Sequence, residues 1–188
     1  NKENTGRLDF NIGFKKIAFL SSFTYSKYDD LMAGTIDGDT AYLMRTYQIV
    51  KDNKDTQVVN NNPSLQLNSK YSQINFMQKI SYAATKRIKI DYGFHYSEST
   101  DAPRYDRLVT DANNDGKLDF SEWYYGPQLW QMHRLGFMHK GDNALYNNLR
   151  VVAAYQHFEE SRHDRRFNGT GSTTSSAAKL RHKFEKLD

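Results

Sequence analysis

Hydrophobic and polar residues alternate along several segments of the chain, and this period of two is typical of β-strands that have one apolar face. The alternation is clearest over residues 88–97, where Lys89, Asp91 and His95 separate apolar or aromatic positions. Residues 7–14, 17–26, 74–82, 130–139 and 149–156 repeat the pattern, and residues 180–188 begin another such segment. The chain is therefore predicted to be all-β, with about six to seven strands.

The connections between these segments alternate between short and long. Short turns follow residues 14, 83 and 140, whereas residues 28–70, 98–129 and 160–179 are predicted to be long polar loops. In an antiparallel up-and-down arrangement, all short turns lie at one end and all long loops at the other, as in outer-membrane barrels. Strands of about 10 residues also suit the height of a bilayer.

Aromatic residues near the predicted strand ends bear on the choice between a membrane barrel and a soluble β-sandwich. A sandwich also alternates, but its outer face is wet and its loops are usually short at both ends. The tyrosines are candidates for a girdle at the membrane interface, and together with the unequal loops they favour the barrel. They are Tyr25, Tyr82, Tyr96 and Tyr155.

Composition narrows the choice of protein class. Of the 188 residues, 38% are hydrophobic and the mean hydropathy is −0.83, yet 14% are aromatic, which is far too many for an unfolded chain. No apolar run is long enough for a transmembrane helix, and the absence of cysteine excludes disulfides and thiolate chemistry. The net charge of +4 is spread along the chain, so nucleic acid is not an expected partner. No catalytic motif is found, and an enzyme is not expected.

Six short motifs, distributed between residues 6 and 167, resemble the barrel of a TonB-dependent outer-membrane receptor of the Bacteroidota type. They are NIGFKK at 11–16, YSQIN at 71–75, YGFHYSE at 92–98, PRYDRL at 103–108, EWYYGPQ at 122–128 and FEESR at 158–162. The resemblance implies a plug inside a barrel of about 22 strands. Residues 1–188 would then be a fragment of one barrel domain, without the plug.

The resemblance also implies a location and partners. The protein is expected in the bacterial outer membrane, in contact with lipid, where it would import a scarce nutrient such as a siderophore, cobalamin, glycan or peptide. The TonB complex would act through parts of the receptor outside this sequence. A surface lipoprotein is a further partner that the resemblance suggests.

One segment of the second long loop, residues 111–122, matches the EF-hand calcium pattern D-x-[DN]-x-[DN]-G-x5-E. Gly116 provides the sharp turn, and hard oxygen ligands at alternate positions let one loop surround a calcium ion. Convincing flanking helices are missing, so a structural calcium clip is predicted rather than a sensor. The predicted metal ligands are Asp111, Asn113, Asp115, Lys117 through its carbonyl, Asp119 and Glu122.

Two weaker groups are candidates for substrate binding. Arg162, Arg165 and Arg166 follow one another closely and could meet an anionic substrate or a lipopolysaccharide phosphate. Trp123, Tyr124 and Tyr125, with Trp130 nearby, could form a stacking surface for a sugar or a macrocycle.

Two other functions remain open from the residues. The first is a soluble or cell-surface, calcium-stabilised β-rich binding or adhesion module. The second is a small complete barrel of eight strands with a structural role.

Overall fold

The computed structural model describes residues 2–34, 43–52, 54–142, 144–166 and 181–187. The described chain is all-β, and its single α-helix has four residues. The elements are β1 Glu3–Gly13, β2 Ile17–Tyr28, β3 Leu31–Met32, β4 Thr46–Lys51, β5 Lys54–Val59, β6 Leu65–Gln66, β7 Tyr71–Ala83, β8 Ile88–Ser99, β9 Ala102–Pro103, α1 Tyr105–Leu108, β10 Phe120–Tyr125, β11 Leu129–Lys140, β12 Asn148–Arg166 and β13 Arg181–Leu187.

The long strands form one antiparallel sheet in the order β1-β2-β7-β8-β11-β12, and β13 pairs with the far side of β12. The three predicted hairpins are confirmed: Gly13 lies opposite Ala18, Ala83 opposite Lys89, and Lys140 opposite Asn148. Each hairpin has a short turn, since only a few residues separate its two alternating segments in the sequence. All three short turns therefore lie at one end of the sheet, and the long connections lie at the other.

The long connections contain more structure than their polar composition suggests. β3 pairs with β6, and β4 and β5 form a hairpin, all within the predicted loop 28–70. The predicted loop 98–129 contains β9, α1 and β10. The prediction of a loop over 160–179 is wrong for residues 160–166, which continue β12 because β10 and β13 supply backbone partners there. Residues 167–179 lie outside the described residues.

β10 and β11 together follow one edge of β12. Tyr125 lies opposite Arg162 and Leu129 opposite Glu159, so the two strands continue one line with a short interruption. Gly126 occupies the interruption, and its N–H donates to the Ser161 carbonyl at 2.8 Å. A Cβ at Gly126 would lie 2.1 Å from Ser161 Oγ, so a larger residue there would displace the Ser161 side chain.

The sheet is open in the part of the chain that the structure describes. β1 pairs only with β2, and no described pairing joins β1 to the opposite side of the sheet. Within the same ranges, no helix has the length and apolar character needed to cross a membrane.

Candidate functional site

The apolar side chains of the main strands share one face of the sheet, which we call the apolar face. The register places Phe10 beside Ser21, Phe19 beside Ile80, Tyr92 beside Leu135, and Phe137 beside Val151 on this face. It is largely uncovered: Phe10 is 55% exposed, Leu135 53% and Val151 52%. Among the exposed large hydrophobic residues of these strands, all but Val152 belong to the apolar face.

No described element covers this face to form a core. The buried hydrophobic residues among those described are Met44, Leu118 and Trp123, and all three lie in the long connections or in β10. A soluble sheet normally buries one face against another layer. A contiguous apolar patch of this kind instead marks a surface that contacts lipid or another protein.

Two pairs of polar groups on the apolar face bond between neighbouring strands. Ser21 Oγ donates to Gln78 Oε1 at 2.5 Å, and Tyr92 Oη lies 2.8 Å from His133 Nδ1. Such pairing lowers the cost of placing polar atoms where water is excluded. These contacts are compatible with an apolar environment on this side of the sheet.

The opposite face, which we call the polar face, carries charged and small residues. Arg7 pairs with Asp9 at 2.8 Å, and Lys89 pairs with Asp91 at 3.2 Å. A cavity of about 340 Å³ on this side is lined by Lys79, Asp91, His95 and Arg134, among others. The two faces therefore differ in chemistry as the alternation predicts.

The predicted calcium loop folds around its first residue. Asp111 Oδ1 accepts from the Asp115 N–H at 3.0 Å, and Asp111 Oδ2 accepts from the Gly116 N–H at 2.8 Å. Gly116 has φ of +80°, which explains the need for glycine at this position. Asp119 Oδ2 accepts from the Ala112 N–H at 3.1 Å and closes the loop.

Glu122 takes part in a different interaction. Its Oε1 accepts from Arg165 Nε at 3.0 Å and from Arg165 Nη2 at 2.8 Å. Among the described residues, no group of three or more acidic or histidine side chains is arranged to hold a metal ion. Calcium binding by the six predicted ligands stays a prediction.

Arg165 joins two of the long connections. Its Nη1 donates to both carboxylate oxygens of Asp55, at 2.7 and 2.6 Å, while its Nε and Nη2 bind Glu122. Ser121 Oγ and Gln48 Nε2 also donate to Asp55. We call Asp55, Glu122 and Arg165 the loop clasp. Burial opposes the charge on Arg165, but the bonds to Asp55 and Glu122 raise its pKa above the ordinary value.

A second contact connects β5 to the predicted calcium loop. Gln57 Nε2 donates to the Gly116 carbonyl at 3.2 Å, and Gln57 Oε1 accepts from the Leu118 N–H at 3.1 Å. The side-chain amide thus binds the backbone on both sides of Lys117. The β4–β5 hairpin is held against the second long connection by this contact and by the loop clasp.

The predicted substrate-binding residues divide into two groups. Trp123, Tyr125 and Arg162 come together: the Arg162 guanidinium lies 5.5 Å from the Trp123 ring centre and 5.6 Å from that of Tyr125. The Arg104 guanidinium lies over the Trp123 ring, 4.8 Å from the ring centre. These contacts have the geometry of cation–π interactions.

The other predicted residues do not join that group. Tyr124 stacks on His163 at 4.7 Å, and Arg166 lies 4.6 Å from the ring centre of Phe120. Arg165 is only 7% exposed and is committed to the loop clasp. It is therefore not placed to meet an anionic substrate.

The structure also shows a cleft that the sequence reasoning missed. A cavity of about 390 Å³ lies on the polar face near the long connections. The sequence feature that could have indicated this cleft is the presence of aromatic residues at polar-face positions near strand ends. We call this cavity the aromatic cleft, and its main lining residues are Tyr71, Gln73, Ser97, Gln128, Trp130 and Phe158.

Comparisons with protein-family models, curated proteins and solved structures gave no match to this chain.

Proposed function

We propose that this chain is part of the wall of a β-barrel in the bacterial outer membrane, with its apolar face against lipid. The observation that carries the proposal is the exposure of Phe10, Leu135 and Val151 on one face, with no described layer over them. In water, such a surface would strongly favour association or aggregation. In a bilayer, the apolar lipid chains would contact this surface in place of water.

Strand lengths support this proposal. β1, β2, β7, β8 and β11 contain 11 to 13 residues, and a membrane-spanning strand needs about 9–11. β12 has 19 residues, so its last part would extend beyond the hydrocarbon region. That part carries Arg162 and Arg165 and pairs with β10. The long connections would thus stand in water on one side of the membrane.

The more specific proposal is a TonB-dependent receptor that imports a nutrient. The sheet has open edges among the described strands, so a barrel would require pairing with further strands. The polar face would line the interior, and the long connections would capture the nutrient outside the cell. The TonB complex would act through parts of the receptor beyond this sequence.

Alkaline carbonate extraction tests the proposal. Membranes from cells that express the intact reading frame are washed with sodium carbonate, which releases peripheral proteins but leaves integral proteins in the pellet. We expect the protein in the pellet. Recovery in the supernatant would contradict the membrane proposal and favour the cell-surface binding module.

A further inference from the structure

The aromatic cleft combines aromatic walls with neutral polar groups. Tyr71 belongs to β7, Trp130 to β11 and Phe158 to β12, while β8 contributes Ser97 and Ser99. None of the described residues that line the cleft is charged. This composition is that of a binding pocket for a neutral ligand, where apolar contacts supply affinity and a few polar groups fix orientation.

The aromatic rings are held in place by their neighbours. Trp130 and Phe158 are directly opposite each other in the register of β11 and β12. The Trp130 indole N–H donates to Gln156 Oε1 at 3.2 Å, and Tyr71 stacks on Tyr28 at 4.8 Å. A ligand that binds here would thus meet rings whose positions are already fixed, which reduces the entropic cost of binding.

The polar groups of the cleft are side-chain amides and serine hydroxyls that hydrogen-bond to neighbouring residues. Gln73 Nε2 donates to Ser97 Oγ at 2.8 Å, and Gln128 Nε2 donates to Glu160 Oε2 at 3.0 Å. The Gln128 backbone N–H donates to Ser99 Oγ at 3.1 Å. Side-chain amides and hydroxyls can both donate and accept hydrogen bonds. They therefore match a ligand whose own groups do both.

We infer that the aromatic cleft binds a neutral saccharide. A sugar ring presents apolar C–H groups on its faces and hydroxyls around its rim, which suits aromatic walls with amide and serine groups between them. An anionic ligand would find no cationic partner among the described lining residues. The inference rests on the proposed function, because the cleft must open to the outside of the cell.

A second cavity shares one lining residue with the aromatic cleft. It has a volume of about 560 Å³, and Tyr71 lines both cavities. Unlike the aromatic cleft, this second cavity carries charge, because Lys27, Lys70 and Asp101 are among its lining residues. The neutral saccharide is therefore assigned to the aromatic cleft alone.

Calorimetric titration of the intact receptor tests this inference. The receptor is purified in lauryldimethylamine oxide, because detergents with sugar headgroups would compete. The probes are maltotetraose, cellotetraose, xylotetraose and mannotetraose, with tetragalacturonate as the anionic comparison. We expect at least one neutral probe to bind with Kd of about 1 mM or lower. Trp130→Ala should weaken this binding about tenfold through loss of a stacking surface.

Tyr82→Ala is the matched control, since it removes an aromatic ring from the opposite face and should leave the affinity unchanged. Gln73→Leu gives a second test if Trp130→Ala does not fold. The inference is overturned if no neutral probe binds at about 10 mM, if tetragalacturonate binds as tightly, or if the folded cleft variants bind like the wild type. Because carbonate extraction tests the proposed function separately, a membrane-integrated receptor that binds no saccharide contradicts this inference alone.

Discussion

At the scale of single residues, Arg165 joins two of the long connections through its bonds to Asp55 and Glu122. Its side chain is 8% exposed and that of Asp55 is 4% exposed, so their charges depend on each other. Removing one partner of a buried ion pair leaves the other charge without compensation, which typically costs 3–5 kcal/mol. We therefore expect Arg165→Met to destabilise the docked β4–β5 hairpin by about 3 kcal/mol.

Limited proteolysis of the intact protein measures this effect. The variant should be cleaved much faster in the β4–β5 hairpin, whereas the control Arg162→Met changes an exposed arginine on the same strand and should not alter cleavage there. Combining Arg165→Met with Asp55→Asn should recover part of the lost protection. Equal cleavage of the Arg165→Met variant and the wild type would refute the stabilising role of the loop clasp.

Glu122 is the residue on which the calcium prediction depends. Its carboxylate binds Arg165, so it would have to move away from Arg165 or share its oxygens to ligate calcium. Calcium accepts six to eight oxygen ligands, and extracellular modules bind it at about 0.1–1 mM. We predict binding in this range and expect Glu122→Gln to weaken it most.

Calcium titration of the intact protein by calorimetry checks the prediction. Asp106→Asn is a suitable control because Asp106 lies outside residues 111–122. Its carboxylate pairs with Arg104, and that hydrogen bond lowers the Asp106 pKa. If the wild type takes up no calcium at millimolar concentration, or Glu122→Gln binds as well as the wild type, the predicted site is wrong.

At the scale of strands, β11 offers a direct comparison of the two faces. Leu135 lies near the middle of the strand on the apolar face, and Met132 lies on the polar face. A charged residue on the lipid face of a barrel costs about 2–4 kcal/mol near the bilayer centre, whereas interior positions tolerate charge. Leu135→Arg should therefore lower the free energy of unfolding by about 2–4 kcal/mol.

Urea unfolding in lipid vesicles measures the difference. Met132→Arg is the matched control and should change stability by less than about 1 kcal/mol, because its side chain is on the hydrated side. Similar losses for both variants would show that the two faces do not differ in environment.

The strands could be predicted because their information is local. The alternation around Tyr92 and Phe94 determines which side chains share a face, and the short turns fix the pairing of neighbouring strands. The loop clasp could not be predicted in this way. Asp55 and Arg165 are 110 residues apart, and only the docking of the β4–β5 hairpin brings them together.

The candidate sites follow the same rule. The predicted calcium loop was recognisable because its pattern occupies consecutive residues, but the diversion of Glu122 to Arg165 depends on strand pairing between β10 and β12. The aromatic cleft draws Tyr71, Trp130 and Phe158 from three separate strands. No local pattern in the sequence indicates that these side chains line one cavity.

At the scale of the whole molecule, the described sheet has one apolar face and one polar face, and no described layer packs on the apolar face to form a hydrophobic core. Under the proposed function, lipid would cover the apolar face in place of a second protein layer. The central claim is therefore that Ile90 faces lipid while its neighbour Asp91 faces the hydrated interior.

Site-directed spin labelling tests that claim most directly. The chain has no cysteine, so Ile90→Cys and Asp91→Cys each give one labelling position in this segment. In the protein reconstituted into vesicles, molecular oxygen, which concentrates in lipid, should relax the label at position 90 more strongly. A water-soluble nickel chelate should relax the label at position 91 more strongly. Equal access of the nickel chelate to both positions would contradict the membrane assignment.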